Sequence, residues 1–83
     1  QEITLFTNRS SKGDMVQIPT KGYARIEASG PGNANCHGMR YNEKRTSGVG
    51  FTILPCSPLS VKEGEWLMFR DAKNMERIFL EIR

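Results

Sequence analysis

Long apolar runs are absent. The longest, Trp66 to Phe69, falls far short of the ~20 residues that carry a helix across a bilayer, so no transmembrane segment is expected. Long breaker-free stretches are absent as well. Gly or Pro recurs every few residues between Gly13 and Gly64, and the charged segment Arg70 to Arg77 amounts to a turn or two. That leaves no room for helices of about ten to twelve residues. Histidine occurs once, at His37, and cysteine twice, at Cys36 and Cys56, with no CxxC or HxxxH spacing. Three donors so placed do not make a zinc site, and no metal is expected. Cys36 adjoins His37, the chemistry of a thiol nucleophile and its base. Neighbours on a strand point to opposite faces, however, so no catalytic residue is assigned and the chain is not read as an enzyme. The glycine-rich SGPGNANCHG is not a GxxxxGKS/T loop and leads into no helix, so phosphate cradling is excluded and no cofactor is expected.

What remains is a single domain spanning residues 1–83, short enough that a staple would help its small core. A Cys36–Cys56 disulfide is expected to supply one, closing a loop of about 20 residues for ~3 kcal/mol. The alternative is two buried free thiols. A start at Gln1 rather than Met reads as a chain freed from a leader or trimmed, and Asn8-Arg9-Ser10 is a glycosylation sequon with Asn8 as acceptor. Both favour a secreted, extracellular protein.

Between the breakers lie short apolar or alternating runs. ITLF puts Ile3 and Leu5 on one face, and YARIEAS sets Ala24, Ile26 and Ala28 against Tyr23, Arg25 and Glu27. GMRY brings Met39 and Tyr41 to one side. EWLMF is apolar on both faces, as a central strand is, and RIFLEIR alternates Ile78, Leu80 and Ile82 with charged or aromatic residues. With MVQI, GFTIL and LSV these runs predict an all-β fold, a small antiparallel β-sandwich of about seven or eight short strands.

One frame occurs three times: FTNRSSKG from Phe6, YNEKRTSG from Tyr41 and FRDAKNME from Phe69. An aromatic, six mostly polar residues and then Gly, Gly or Glu predict three hairpins, with Phe6, Tyr41, Trp66 and Phe69 in the core. The aromatics stand 35 and 28 residues apart, an unequal spacing that suits a closed sandwich rather than a solenoid. The six-residue connections hold Arg9 and Lys12, then Lys44 and Arg45 beside Glu43, then Arg70 and Lys73 beside Asp71. Their joint charge of +4 exceeds the +3 of the whole chain. If the hairpins are equivalent, some of these basic loops share a rim suited to an anionic glycan, an anionic lipid surface or an acidic protein face. Nucleic acid is disfavoured, because stacking needs exposed aromatics and only Tyr23 and Phe79 lie on outward faces.

The aromatic, six residues and Gly between two strands resembles the folded hairpin of βγ-crystallin-type Greek keys. SPLSVKEGEWLMFRDAKNMERIFLEI resembles the crossing between two motifs of that family, with Ser60, Val61, Gly64, Trp66 and Phe69 at the family's serine, valine, glycine, tryptophan and aromatic places. Cys56-Ser57 stands where the family's calcium-binding Asn/Asp pair would lie, so the resemblance implies no calcium site. It implies a Greek-key sandwich and, among members of this size, secreted toxin, effector, virulence or antimicrobial modules. The expected function is therefore a secreted, non-enzymatic binding module acting through its basic loops on a protein partner or an anionic surface. The alternatives are a secreted protease inhibitor presenting the disulfide-pinned SGPGNANCHG loop, or a structural or adhesion module.

Overall fold

The computed structural model describes residues 1–83 and contains eight strands and no helix. They are β1 (Glu2–Thr7), β2 (Met15–Gln17), β3 (Gly22–Ala28), β4 (Asn35–Tyr41), β5 (Gly48–Ile53), β6 (Leu59–Val61), β7 (Trp66–Lys73) and β8 (Met75–Ile82). Two four-stranded antiparallel sheets, ordered β1-β8-β3-β6 and β2-β7-β4-β5, form a β-sandwich. EWLMF, apolar on both faces, lies in the central strand β7. RIFLEIR lies in β8, central in the other sheet.

The core follows from the period-2 pattern. Ala24 and Ile26 of β3, Ile78 and Leu80 of β8, Leu67 and Phe69 of β7 and Ile53 of β5 are buried between the sheets. Each large aliphatic side chain removed from water there contributes roughly 1.5–3 kcal/mol before ordering costs. The Phe6 and Phe69 rings, 5.5 Å apart and tilted by 48°, join the two sheets. Phe6 reaches the core through a bulge between Thr4 and Phe6. The bulge at Leu5 shifts the register, so Ile3 opposite Leu80 and Phe6 opposite Ile78 fall on the same side although three residues apart; Phe6 is buried there, Leu5 still packs against the core and Ile3 stays exposed.

Only one of the three repeated frames is a hairpin. Tyr41 pairs with Gly48 and turns β4 into β5. The first frame instead carries the chain from β1 in one sheet to β2 in the other. Gly13 lies there at φ 96°, and its N–H donates to the Phe69 carbonyl at 2.8 Å. The third frame starts inside β7 and also changes sheets, at a corner where Asn74 takes φ 55°. In the middle frame the left-handed residue is Arg45, at φ 58°, not Gly48. The shared spacing therefore conceals three different local structures.

The expected disulfide is absent. Cys36 is a fully buried residue of β4 and Cys56 is an exposed residue of the turn after β5, and both are free thiols. Cys36 sits opposite Ile53, whose side chain also faces the core, whereas the Leu54–Ser57 bridge folds Cys56 out to solvent. No staple crosses the sandwich, whose cohesion is hydrophobic packing and backbone pairing.

Candidate functional site

Leu67 and Phe69 of β7 and Cys36 and Gly38 of β4 point into the core, so their neighbours point out. Strand register then aligns two rows across the outer face of the β2-β7-β4-β5 sheet. Met15, Met68, Met39 and Gly50 form one row, and Gln17, Trp66, Tyr41 and Gly48 the other. Met15 is 37% exposed, and Met39, Tyr41, Trp66 and Met68 are half-buried. Both rows end on glycines, and at Gly48 the reason is steric. A Cβ on Gly48 would stand 2.5 Å from Tyr41 Cε1, so the tyrosine ring lies across the Gly48 backbone. A Cβ on Gly50 would stand 3.9 Å from the Met39 sulfur.

The hairpin loop beside this face is internally braced. Asn42 Oδ1 accepts from the Thr46 N–H at 2.8 Å and the Ser47 N–H at 3.3 Å. The loop carries Arg45 over the Trp66 ring, 4.5 Å from its centroid, and the Trp66 Nε1–H donates to the Glu43 carbonyl at 3.1 Å. The result is a flexible thioether strip beside a fixed aromatic with a cation on top. Methionine adapts to irregular partners, and Trp, Tyr and Arg concentrate binding energy.

Sequence reasoning placed Tyr41 and Trp66 in the core; both belong to this outer face. It named none of Met15, Met39 and Met68 as a binding residue. Met39 and Tyr41, like Trp66 and Met68, stand two apart, which aligned them but did not say which side faced water.

The basic loops do not form one rim. Asn8 N–H donates to the Glu76 carbonyl at 3.1 Å, which brings the loop with Arg9 and Lys12 to the end of the sandwich holding Arg70 and Lys73. Arg70 is there paired with Asp71 at 3.2 Å. Lys44 and Arg45 lie at the opposite end, because β4 and β7 are antiparallel and Tyr41 pairs with Trp66. Asn8 is exposed on its loop.

Tyr23 and Phe79 lie on the outer face of the other sheet, already partnered. The Arg83 guanidinium sits 4.6 Å from the Tyr23 centroid and donates to its hydroxyl at 2.8 Å. Arg77 covers Phe79 at 4.4 Å and bridges Glu2 at 2.6 Å and Glu27 at 2.9 Å, while Arg25 pairs with Glu81 at 2.7 Å. Hydrogen bonds to Glu2 and then Glu27 hold the Arg77 guanidinium above its usual pKa. Three arginines and three glutamates cancel across this sheet.

Cys36 and His37 face opposite sides, as neighbours on a strand do. His37 Nδ1 lies 2.9 Å from Thr52 Oγ1 on the outer face. Burial, and then the Asp71 charge, push the Cys36 thiol up to about 12, the reverse of nucleophile activation. Cys56, on its exposed turn, borders a cleft of about 520 Å³ with Asn33, Asn35 and Leu54. Another cleft, of about 570 Å³, is bordered by Lys21, Lys62 and Arg83, with Thr20, Ser60 and Glu63 beside them.

No protein-family model matches the chain, no curated protein matches its sequence and no solved structure matches its fold.

Proposed function

We infer that the protein is a small non-enzymatic binding module that docks on a partner protein through the outer face of the β2-β7-β4-β5 sheet. The observation that carries this reading is the register that sets Met15, Met68 and Met39 beside Trp66 and Tyr41, with Arg45 over the indole. The other outer sheet face is covered by arginines paired with Glu2, Glu27 and Glu81; this one carries the methionine row beside Trp66, whose ring takes Arg45. The partner is a protein with an apolar contact patch. The test is capture of a binding protein by the wild-type chain, repeated with Met39→Glu/Met68→Glu and with Arg9→Glu/Lys12→Glu/Lys73→Glu. Binding lost in the first variant and kept in the second supports the reading. Salt-sensitive binding lost only in the second moves the function to the basic end.

A second reading, an anionic glycan or lipid ligand, is favoured by the cleft where Lys21, Lys62 and Arg83 meet. Heparin retention that falls with salt and with Lys62→Glu supports it. The protease-inhibitor reading ranks lower. Its loop is held by Asn74 rather than by a disulfide, and its exposed residues Gly30, Pro31, Gly32 and Asn33 offer no large side chain to fill a specificity pocket. A secreted toxin-like or effector-like role, and kinship with the βγ-crystallin type, stay as proposals resting on the residues already quoted. An exposed free thiol at Cys56 and a buried one at Cys36 withdraw the disulfide from the case for an oxidising compartment.

A further inference from the structure

A sandwich has four edges, and a free edge invites another strand. Three are blunted here. β2 and β6 are three residues long, and β1 is broken by its bulge and carries Glu2. The fourth is β5, Gly48–Ile53, with six residues, an unshifted register against β4, no charge and no proline.

The hydrogen-bond phase of β5 follows from the hairpin. The Asn42 N–H donates to the Ser47 carbonyl, so the alternation of an antiparallel ladder gives the next bonded pairs as Arg40–Val49 and Gly38–Phe51. Gly48, Gly50 and Thr52 therefore turn their N–H and C=O groups away from β4. No other element hydrogen-bonds to those groups, and all three residues are exposed. Beside them Val49 is 59% exposed, an apolar side chain at the open edge.

We propose that β5 pairs antiparallel with β5 of a second copy of this chain, Gly50 against Gly50 on a two-fold axis, to make one continuous eight-stranded sheet. Only same-side residues can stand opposite one another in an antiparallel pair, and the free groups lie on Gly48, Gly50 and Thr52. Pairing Gly50 with itself places Gly48 against Thr52 and satisfies all three. It also sets Val49 against Phe51 of the second copy, covering the exposed valine. A two-fold axis normal to the sheet keeps both outer faces on the same side. The row Met15–Met68–Met39–Gly50 then runs unbroken into its own mirror order in the second copy, and the absent glycine side chains leave room for the two Met39 thioethers to meet. Charge does not oppose the contact. The loop bearing Glu43, Lys44 and Arg45 extends toward the turn Leu54–Ser57 of the second copy, which has no charged residue. A shift by one pair, Gly50 against Thr52, would break the methionine row against His37. The pairing stands whether or not the outer face has a protein partner.

The test is sedimentation velocity from micromolar to millimolar concentration under reducing conditions, which silence Cys56. The wild-type chain is expected to show reversible dimerisation. Gly50→Pro removes the central donor without touching the β4 ladder, and Val49→Lys sets two ammonium groups diagonally across the axis. Each is expected to weaken the dimer at least about tenfold, with circular dichroism and the monomer's thermal midpoint showing that the fold persists. In a Cys56→Ser background, Gly50→Cys is expected to form an intermolecular disulfide. Directly opposed, hydrogen-bonded residues have Cα atoms ~5.5 Å apart, inside the disulfide range. A chain that stays monomeric to millimolar concentration overturns the proposal. So does a dimer indifferent to both edge substitutions, or a Gly50→Cys chain that does not cross-link. A monomer that instead takes a foreign extended peptide along β5 also overturns it.

Discussion

Asn74 holds Gly30 where the neighbouring strands β3 and β8 end together: its side-chain amide donates to the Gly30 carbonyl at 3.1 Å. The same nitrogen lies 3.2 Å from the Pro31 oxygen and 3.3 Å from the Gly32 oxygen, and the Ser29 hydroxyl donates to Asn74 Oδ1 at 2.9 Å. One side chain at the β7–β8 corner thus gathers three successive carbonyls of the β3–β4 loop. Its left-handed backbone suits asparagine better than most residues.

Asn74→Gly keeps the backbone geometry and deletes the amide, and is expected to cost about 1 kcal/mol. Asn74→Asp keeps shape and turn propensity but faces three carbonyls with a carboxylate, and is expected to cost more, about 1–3 kcal/mol. Urea unfolding of the two variants checks the order. Equal losses would mean that the corner, not the amide, matters.

Gly38 and Gly50 separate cleanly under substitution. A Cβ on Gly38 would stand 2.0 Å from the Met68 carbonyl oxygen and 2.7 Å from Phe51 Cζ, with backbone on one side and core on the other. Gly38→Ala is expected to lose roughly 4 kcal/mol or more and often the fold itself. Gly50→Ala meets nothing closer than 3.8 Å and is expected to change stability by less than about 1 kcal/mol. Thermal melts of both chains decide it.

Cys36 makes stability depend on alkaline pH. Its thiol ionises at about 12 in the folded chain against 9.0 for an unperturbed one, so between those values the unfolded chain releases a proton that the folded chain keeps. The stabilisation is complete below pH 9 and is lost as pH rises toward 12, at about 1.4 kcal/mol per pH unit where only the unfolded thiol is ionised. Wild type should lose stability faster than Cys36→Ala between pH 9 and 11 in urea titrations. Below pH 9 a thiol reagent should label one cysteine, Cys56, until the chain unfolds.

Trp66 is the sole tryptophan, so its emission reports on the outer sheet face alone. Arg45→Gly removes the guanidinium from the indole and relieves a left-handed backbone at once. The opposing effects are each about 0.5–1 kcal/mol, so stability is expected to move little. Acrylamide quenching of Trp66 should nevertheless rise. Unchanged quenching would show that the arginine does not cover the ring in solution.

The strands were legible because period-2 alternation is local. Ala24 and Ile26 in β3 and Ile78 and Leu80 in β8 face the core as their spacing says. Two kinds of information were not local. The side a strand presents to water is ambiguous when both sides are apolar, as around Trp66, and Tyr41 was assigned inward because it leads one of the repeated frames. Sheet membership is set by distant partners, so FTNRSSKG, which looks like a hairpin, carries the chain between sheets. A bulge such as the one at Leu5 reverses the alternation without leaving a mark in composition. The cysteines failed for a related reason: two thiols can be counted from the sequence, but burial of one and exposure of the other depend on strand facing and on the turn at Leu54–Ser57. The proposed docking face was half visible, as Met39 with Tyr41 and Trp66 with Met68, and became a continuous face only when β2, β7 and β4 were laid side by side.

The pairing of β1 with β8 has a mechanical side. Glu2 stands opposite Glu81, and the Ile82 N–H donates to the Gln1 carbonyl at 3.2 Å. Force applied through the two ends would pull these antiparallel strands apart at their shared tip, breaking one pair at a time rather than shearing all together. Single-molecule stretching through both ends should therefore register a soft module that opens by peeling, while force applied across β4 and β7 should meet far higher resistance.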